Sequence, residues 1–306
     1  MFALNPKVSV IIPNYNHSKF LVQRLESVFD QTFQDFEVIL LDDKSTDDSI
    51  AILERYANHP KVSHLIVNEE NSGSTFKQWQ KGIQLAQGEY IWIAESDDFC
   101  EPTFLENLVD PLNNQSTVLA YCATLHFDEI NNNKYRDTWA ETLDKVRWSK
   151  DYFNEGSDEI KKYFRYRNII PNASAALFKK SGITKVELPT NMKYCGDWYV
   201  WINLLKYGDI AYVNKPLNFY RKHLSTTRVF KQLKDEKIRF GEYFKIINEN
   251  SSSWERWKFL KNFKWIVLEC YLKQKTIGHF PNLKLKLPLE FQWAYFLISI
   301  EKRFKK

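Results

Sequence analysis

Apolar positions in the first hundred residues fall into short continuous runs, separated by stretches with helical spacing. Val8 to Pro13 (VSVIIP) is β-branched, apolar throughout and closed by proline, which predicts a strand buried on both faces. A polar turn, Asn14-Tyr15-Asn16-His17-Ser18, leads into a helix that places Phe20, Leu21, Leu25, Val28 and Phe29 on one side. The alternation then repeats. Phe36 to Leu41 and Val62 to Val67 predict the second and third strands, with a helix carrying Ile50, Leu53 and Tyr56 between them. After the turn Asn71-Ser72-Gly73-Ser74 comes a helix over Phe76 to Ala86, stopped near Gly88, and a fourth strand over Tyr90 to Ala94. Strands alternating with helices of about three turns predict an α/β doubly wound, mostly parallel sheet flanked by helices.

Beyond Pro102 the pattern loosens. Val118 to Thr124 and Ala173 to Phe178 predict further strands, Asp197 to Tyr207 a helix, and Ile210 to Val213 a short strand. Residues 126 to 168 are charged and aromatic with no clear period, and from about 228 the chain reads as helical, basic and aromatic. The organisation expected is a catalytic unit over 1–227, with a nucleotide-binding half to about 110 and an acceptor half over 111–227, followed by a C-terminal helical extension over 228–306.

Ligands of such sheets bind beyond the carboxyl ends of the strands. Here three strand ends carry unusual polar groups: Asn14-Tyr15-Asn16, Asp42-Asp43 and Glu95-Ser96-Asp97-Asp98. Three clustered carboxylates repel one another unless a cation or protons compensate. A divalent ion bridging to a diphosphate is one solution; a solvated acidic turn capping the next helix is the other. Asp42 and Asp43 could accept the ring N–H of uracil or thymine or a ribose hydroxyl, or could organise a turn. Tyr15 could stack on a base. Downstream, Gly196-Asp197-Trp198 opens a helix with an acid that is either an N-cap or a general base for an acceptor hydroxyl. In Tyr220-Arg221-Lys222-His223, His223 could ligate a metal or contact a diphosphate and Arg221 or Lys222 could bind phosphate, or the histidine could simply be exposed.

Composition narrows the function classes. The 306 residues are 44% hydrophobic, enough for a core, and the net charge of +5 suits an anionic partner. No nucleic-acid motif is present, and acidic residues cluster where the other motifs lie, so no nucleic-acid partner is expected. Cys100, Cys122, Cys195 and Cys270 form no C-x-x-C pair and read as reduced thiols of a cytoplasmic protein. The first strand begins almost at once, with no leader pattern ahead of it. No apolar run approaches the roughly 20 residues of a membrane helix. The tail, with Trp254, Trp257, Phe259, Phe263, Trp265, Phe291, Trp293, Phe296, Arg303 and Lys305, could lie on the cytoplasmic face of the inner membrane, or pack on the catalytic unit or a second subunit.

In order and spacing, VSVIIPNYN (8–16), QTFQDFEVILLDDKSTDDS (31–49), NSG (71–73), KGIQLAQGEYIWIAESDD (81–98) with Pro102, and GDW (196–198) resemble the inverting glycosyltransferase family 2, of GT-A fold. The resemblance is nearly continuous from about residue 7 to 108 and sparser to about 227. It implies sugar transfer from a nucleotide-diphosphate sugar, UDP or dTDP favoured, to a lipid-linked saccharide in surface-polysaccharide biosynthesis, with Mn²⁺ or Mg²⁺ as cofactor. It implies that Pro13, Tyr15, Asn16, Asp42, Asp43 and Gly73 hold the donor. Asp97, with Glu95 or Asp98, takes the metal-binding DxD position, where glutamate replaces the commoner first aspartate. Asp197 is the base, beside Trp198 on the substrate side, preceded by Gly196 where many relatives have glutamate; His223 matches a histidine found in many of them. Ser253 to Trp257 is a near miss to the Gln-x-x-Arg-Trp of processive members, so transfer of one sugar is expected. Two rivals are weighed. A nucleotidyltransferase or a dinucleotide dehydrogenase lacks its glycine-rich loop here, and a non-catalytic sugar-nucleotide-binding scaffold would have kept the fold without the transfer.

Overall fold

The computed structural model describes residues 5–223, 233–269 and 289–304. Its centre is one ten-stranded sheet. β1 (Val8–Asn14), β2 (Phe36–Asp42), β3 (Val62–Val67) and β4 (Tyr90–Ile93) are the strands expected, and they pair in parallel in the order β3-β2-β1-β4. Every residue of β1 and β2 is buried, so a run with no polar alternation is what these positions require. Each fully buried Val, Ile or Leu contributes about 1.5–3 kcal/mol of transfer free energy. α1 (Ser18–Phe29), α2 (Ser49–Tyr56) and α3 (Thr75–Leu85) link these strands.

The second half completes the sheet. A two-residue strand, β5 (Phe99–Cys100), precedes α4 (Phe104–Leu112), β6 (Thr117–Asp128), β7 (Asn133–Arg136), β8 (Tyr152–Asn154), β9 (Ala176–Lys179) and β10 (Asp209–Lys222). β9 inserts antiparallel between β4 and β6, and β10 runs parallel to β6. β10 is much longer than the Ile210–Val213 strand expected. Asn214-Lys215-Pro216 interrupts its apolar pattern, and the register with β6 shifts on both sides of Pro216; a bulge around a proline hides strand continuity from the sequence. The region without a period, 126–168, holds the end of β6, the edge strands β7 and β8, and short helical turns.

Of the C-terminal helices, Leu233–Asn250 and Ser253–Lys258 contact the catalytic part, and Leu289–Phe304 packs on them through Phe244, Phe263 and Arg256. Glu242 accepts backbone N–H bonds from Lys193, Tyr194 and Cys195 at 2.6–2.9 Å. Trp265 Nε1 donates to the Tyr166 carbonyl at 2.9 Å, and Arg165 pairs with Glu255 at 2.6 Å. Phe263 and Phe291 are buried, whereas Trp254, Trp257, Trp293 and Phe296 are exposed. Cys100, Cys122 and Cys195 are buried free thiols, and Cys270, Arg228 and Lys305 lie outside the described residues. Among the described residues no helix is long and apolar enough to cross a membrane.

Candidate active site

Parallel pairing sets Asn14 beside Asp42 at the carboxyl ends of β1 and β2. A cavity of ≈ 450 Å³ opens there, lined among others by Pro13, Tyr15, Asn16, Asp43, Gly73 and Glu95. Asp42 is fully buried and does not face it. Its carboxylate accepts from Asn14 Nδ2 (2.7 Å) and from the Ser45 amide and hydroxyl (both 2.7 Å), so it organises the turn and the substrate contact expected of it is corrected. Asp43 does face the cavity. Asn68, the Ser72 amide and Gln78 crowd its Oδ1, while Oδ2 holds only the Ser72 hydroxyl and keeps acceptor capacity. Asn16 adopts φ 56°, the left-handed region where asparagine is at home, and its Oδ1 accepts from the Thr46 amide at 2.7 Å. Gly73, at φ 67°, turns the third loop toward the cavity. Tyr15 is 45% exposed and lines the rim of the cavity.

The carboxylates after β4 separate sharply in role. Asp98 points inward: Asn172 and Ser174 donate to its Oδ2, the Arg221 amide to its Oδ1, and Arg24 lies 4.0 Å away. Burial and the neighbouring Asp97 charge raise its pKa against the pull of Arg24. It is a buried brace, and the metal-ligand role expected of it is corrected. Glu95 borders the strand-end cavity but accepts the Trp79 indole N–H at 3.0 Å; burial, then Asp97, pushes it up to about 8. Asp97 behaves oppositely. Burial would raise it, but the His17 charge and the His223 hydrogen bond and charge outweigh that and hold it low.

His17, Asp97 and His223 each offer a ligand atom within 4.8 Å of the others, and Asp97 Oδ2 lies 3.2 Å from His223 Nε2. The sequence reading overlooked His17. Its signal was the position itself, three residues beyond the end of a buried strand whose loop faces the other acidic strand end. Ser96 Oγ lies 2.9 Å from His17 Nδ1, which leaves Nε2 for a ligand. Two imidazoles and one carboxylate fit a divalent first-row ion such as Mn²⁺ better than Mg²⁺, which prefers oxygen donors. Glu95 is not among the three.

Arg221 is not a phosphate ligand. It is 2% exposed, lies against Phe20, Phe99 and Phe127, and donates from Nε to the Asp97 carbonyl at 2.8 Å while pairing with Glu129 and Gln23. Its work is to fix the backbone under Asp97, so the expected substrate contact is corrected.

A second cavity, of ≈ 570 Å³, surrounds Asp197 at the start of the Gly196–Leu204 helix. Asn168 Nδ2 donates to Asp197 Oδ2 at 2.9 Å, and the Trp198 amide to Oδ1 at 2.8 Å. Glu242 receives the three amides just before the helix, a carboxylate at a helix N-terminus. Gly196 is required sterically: a Cβ there would sit 2.4 Å from the Phe76 ring. That contact accounts for glycine where a larger residue was expected from the resemblance. Trp198 is 1% exposed and its indole N–H is committed to the Phe164 carbonyl at 2.7 Å. It still lines the cavity, so it packs and borders the substrate space at once. One continuous segment lines both cavities in turn: Met192 and Lys193 line the first, and Tyr194, Cys195 and Asp197 the second. Arg239, Tyr243, Trp265 and Glu269 bring the C-terminal helices into the second cavity.

The glycosyl transferase family 2 model matches residues 9–178. Chondroitin synthase of Escherichia coli is 39% identical over 129 residues, 42% of this chain and 18% of that protein. The putative teichuronic acid biosynthesis glycosyltransferase TuaG of Bacillus subtilis is 27% identical over 217 residues, 71% of this chain and 79% of that one. The match thus spans well under two thirds of the first of these relatives. TarS 1–349 of Staphylococcus aureus in complex with UDP-GlcNAc superposes with a TM-score of 0.65 at 19% identity, covering 95% of this chain and 79% of that one; the GT-A fold expected is the fold found. With more than half its length matched, the chain belongs to glycosyl transferase family 2.

Proposed function

We propose that the protein transfers one sugar from a nucleotide-diphosphate sugar to an acceptor hydroxyl with inversion at the anomeric carbon. The observation that carries this reading is that one segment, Met192 to Asp197, lines first a strand-end cavity suited to a nucleotide and then a second cavity holding an acid. The nucleoside lies with its base over Tyr15 and its ring N–H on Asp43 Oδ2, which suits uracil or thymine, so UDP or dTDP is the favoured carrier. His17, Asp97 and His223 would hold a divalent ion, which supplies positive charge against the departing diphosphate. Members of the family commonly use such an ion. Asp197, oriented by Asn168, takes the proton of the acceptor hydroxyl as that oxygen attacks from the second cavity. Asp137 and Glu269, the other carboxylates lining that cavity, are paired with His126 and Arg239, so no free second acid stands ready for a covalent intermediate among the described residues.

Calorimetry with UDP, dTDP, GDP and CDP, each with and without Mn²⁺, tests the donor. Metal-dependent binding of UDP or dTDP is expected; binding of none would sink the donor assignment. In the same assay Tyr15→Ala should weaken the preferred nucleotide about tenfold or more, since stacking on an aromatic ring contributes about 1–3 kcal/mol per base. An unchanged Kd would show that the base lies elsewhere.

The acceptor is read as a lipid-linked saccharide of a surface polymer, and the protein as peripheral on a membrane. Two features support the second point. Residues 228–306 carry 18 Lys and Arg against eight Asp and Glu, whereas residues 1–227 carry 25 against 30, so positive charge is concentrated in the tail. On the Leu289–Phe304 helix, Leu289, Trp293, Phe296 and Leu297 form an exposed apolar stripe, opposite the buried Phe291, Ala294 and Ile298. Aromatic stripes beside basic residues suit an anionic bilayer surface. Flotation with anionic vesicles should carry the protein upward, and Trp293→Glu together with Phe296→Glu should leave it at the bottom. A wild type that stays down with anionic and neutral vesicles alike would refute peripheral binding.

A further inference from the structure

Arg167 stands apart from the other cations of the Asp197 cavity. It is 5% exposed, yet among the described residues no carboxylate lies within ion-pair distance of it. Among the described residues lining that cavity, His126 pairs with Asp137, Arg136 with Glu141, and Arg239 with Glu236 and Glu269. Arg167 has instead two indole rings: its guanidinium carbon lies 4.1 Å from the Trp139 ring centre and 5.2 Å from that of Trp265. Nη1 donates to the Trp139 carbonyl at 3.0 Å and to Thr142 Oγ1 at 2.5 Å. Nε is buried without any partner, and no bond is made by Nη2.

A guanidinium taken out of water without an anion is costly, because its charge and five donors lose their solvation. Burial alone depresses its pKa to about 10, with no neighbouring carboxylate to offset it. The two rings and the Trp139–Thr142 turn hold the fork in one orientation while leaving one side of it unsatisfied. Such preorganisation, without a protein counter-charge, is how an arginine is kept for an anionic ligand. The next residue, Asn168, donates to Asp197, so the unsatisfied fork and the residue that orients the acid are chain neighbours lining one cavity.

We propose that Arg167 is an acceptor-binding residue and that the acceptor is anionic, bearing a phosphate ester or a uronate carboxylate that receives the free side of the guanidinium. The inference rests on the reading of this cavity as the acceptor site. It makes the enzyme selective for charged saccharides or polyol phosphates over neutral ones, and leaves donor binding untouched.

Saturation-transfer NMR on the full chain, with UDP and Mg²⁺ in excess to fill the donor site, provides the test. The probes are methyl phosphate, methyl β-glucuronide and the neutral methyl β-glucoside. The wild type should bind at least one anionic probe at least about tenfold more tightly than the glucoside, as expected for a charge-assisted fork. Arg167→Gln should lose that preference and Arg167→Lys should keep part of it, with UDP affinity unchanged in both. Which anion wins separates a phosphate acceptor from a uronate one. Equal binding of charged and neutral probes by the wild type would overturn the proposal. So would an Arg167→Gln protein that melts with the wild type and still prefers the anion. If Arg167→Gln does not fold, the Arg167→Lys comparison decides, since a compact ammonium cannot reproduce the fork. UDP binding is read beside it by calorimetry with Mn²⁺, the ion that the three ligands suit. Its absence from the wild type would defeat the donor reading while the Arg167 comparison still stands, and its presence without anion preference would defeat this proposal alone.

Discussion

Asp197→Asn is expected to slow sugar transfer by about 10²–10⁴-fold, the usual contribution of a positioned general base, while nucleotide affinity stays at the wild-type value. The split follows from geometry. Asp197 lines the second cavity and is absent from the strand-end cavity where the nucleotide is placed. The substitution keeps shape: Oδ1 still accepts the Trp198 amide, and the Glu242 contacts that hold the preceding loop are untouched. What goes is the negative charge, the ability to take a proton and the Asn168 hydrogen bond to Oδ2, together about 3–5 kcal/mol of barrier at 1.36 kcal/mol per tenfold. The rate of nucleoside-diphosphate release in the presence of acceptor reads this, beside calorimetry for the nucleotide. Transfer at the wild-type rate would move the base to another residue. Weakened nucleotide binding would mean instead that Asp197 belongs to the donor site.

The first, parallel part of the sheet was legible because its physics is local. Buried parallel strands must be apolar on both faces, so β1 and β2 stood out as VSVIIP and FEVILL, and the polar residues after them marked the rim. Which polar residue faces the ligand was not legible. Asp42 and Asp43 are adjacent, yet one is sealed by Asn14 and Ser45 and the other opens to the cavity. Asp97 and Asp98 divide in the same way, through Asn172 and Ser174, some 75 residues away. A strand alternates its side chains, but at its end the turn decides their direction, and no period survives there. Arg221 misled for a related reason. A basic residue beside a histidine reads as exposed, whereas three phenylalanines and Glu129 bury it. Arg167 left no signal at all, because its meaning lies in the carboxylate it lacks, and pairing is visible only in three dimensions.

Removing either flank of the Asp97 cluster is the second large effect expected. Asp97→Ala and His17→Ala should each abolish metal-dependent nucleotide binding and reduce transfer by at least about 10²-fold, given that even an outer-shell partner of a metal ligand costs 10–100-fold. Both residues offer atoms within 4.8 Å of His223, and Asp97 is the one carboxylate of its run whose pKa is held low, against burial, by His17 and His223. The contrast with Asp98→Asn makes the test sharp. Asp98 accepts three hydrogen bonds in the interior beside Arg24, so its replacement leaves a buried guanidinium without its counter-charge and should appear first as a lower melting temperature. Chelating the metal from the wild type should reproduce the Asp97→Ala and His17→Ala phenotypes without lowering the melting temperature below theirs, and added Mn²⁺ should restore only the wild type. If His17→Ala responds to Mn²⁺ as the wild type does while Asp97→Ala does not, the ion is held by Asp97 and His223 with the diphosphate, and His17 serves only to keep Asp97 charged. If neither variant changes the metal response, the three residues are an electrostatic cluster and the ion, where one is used, sits elsewhere.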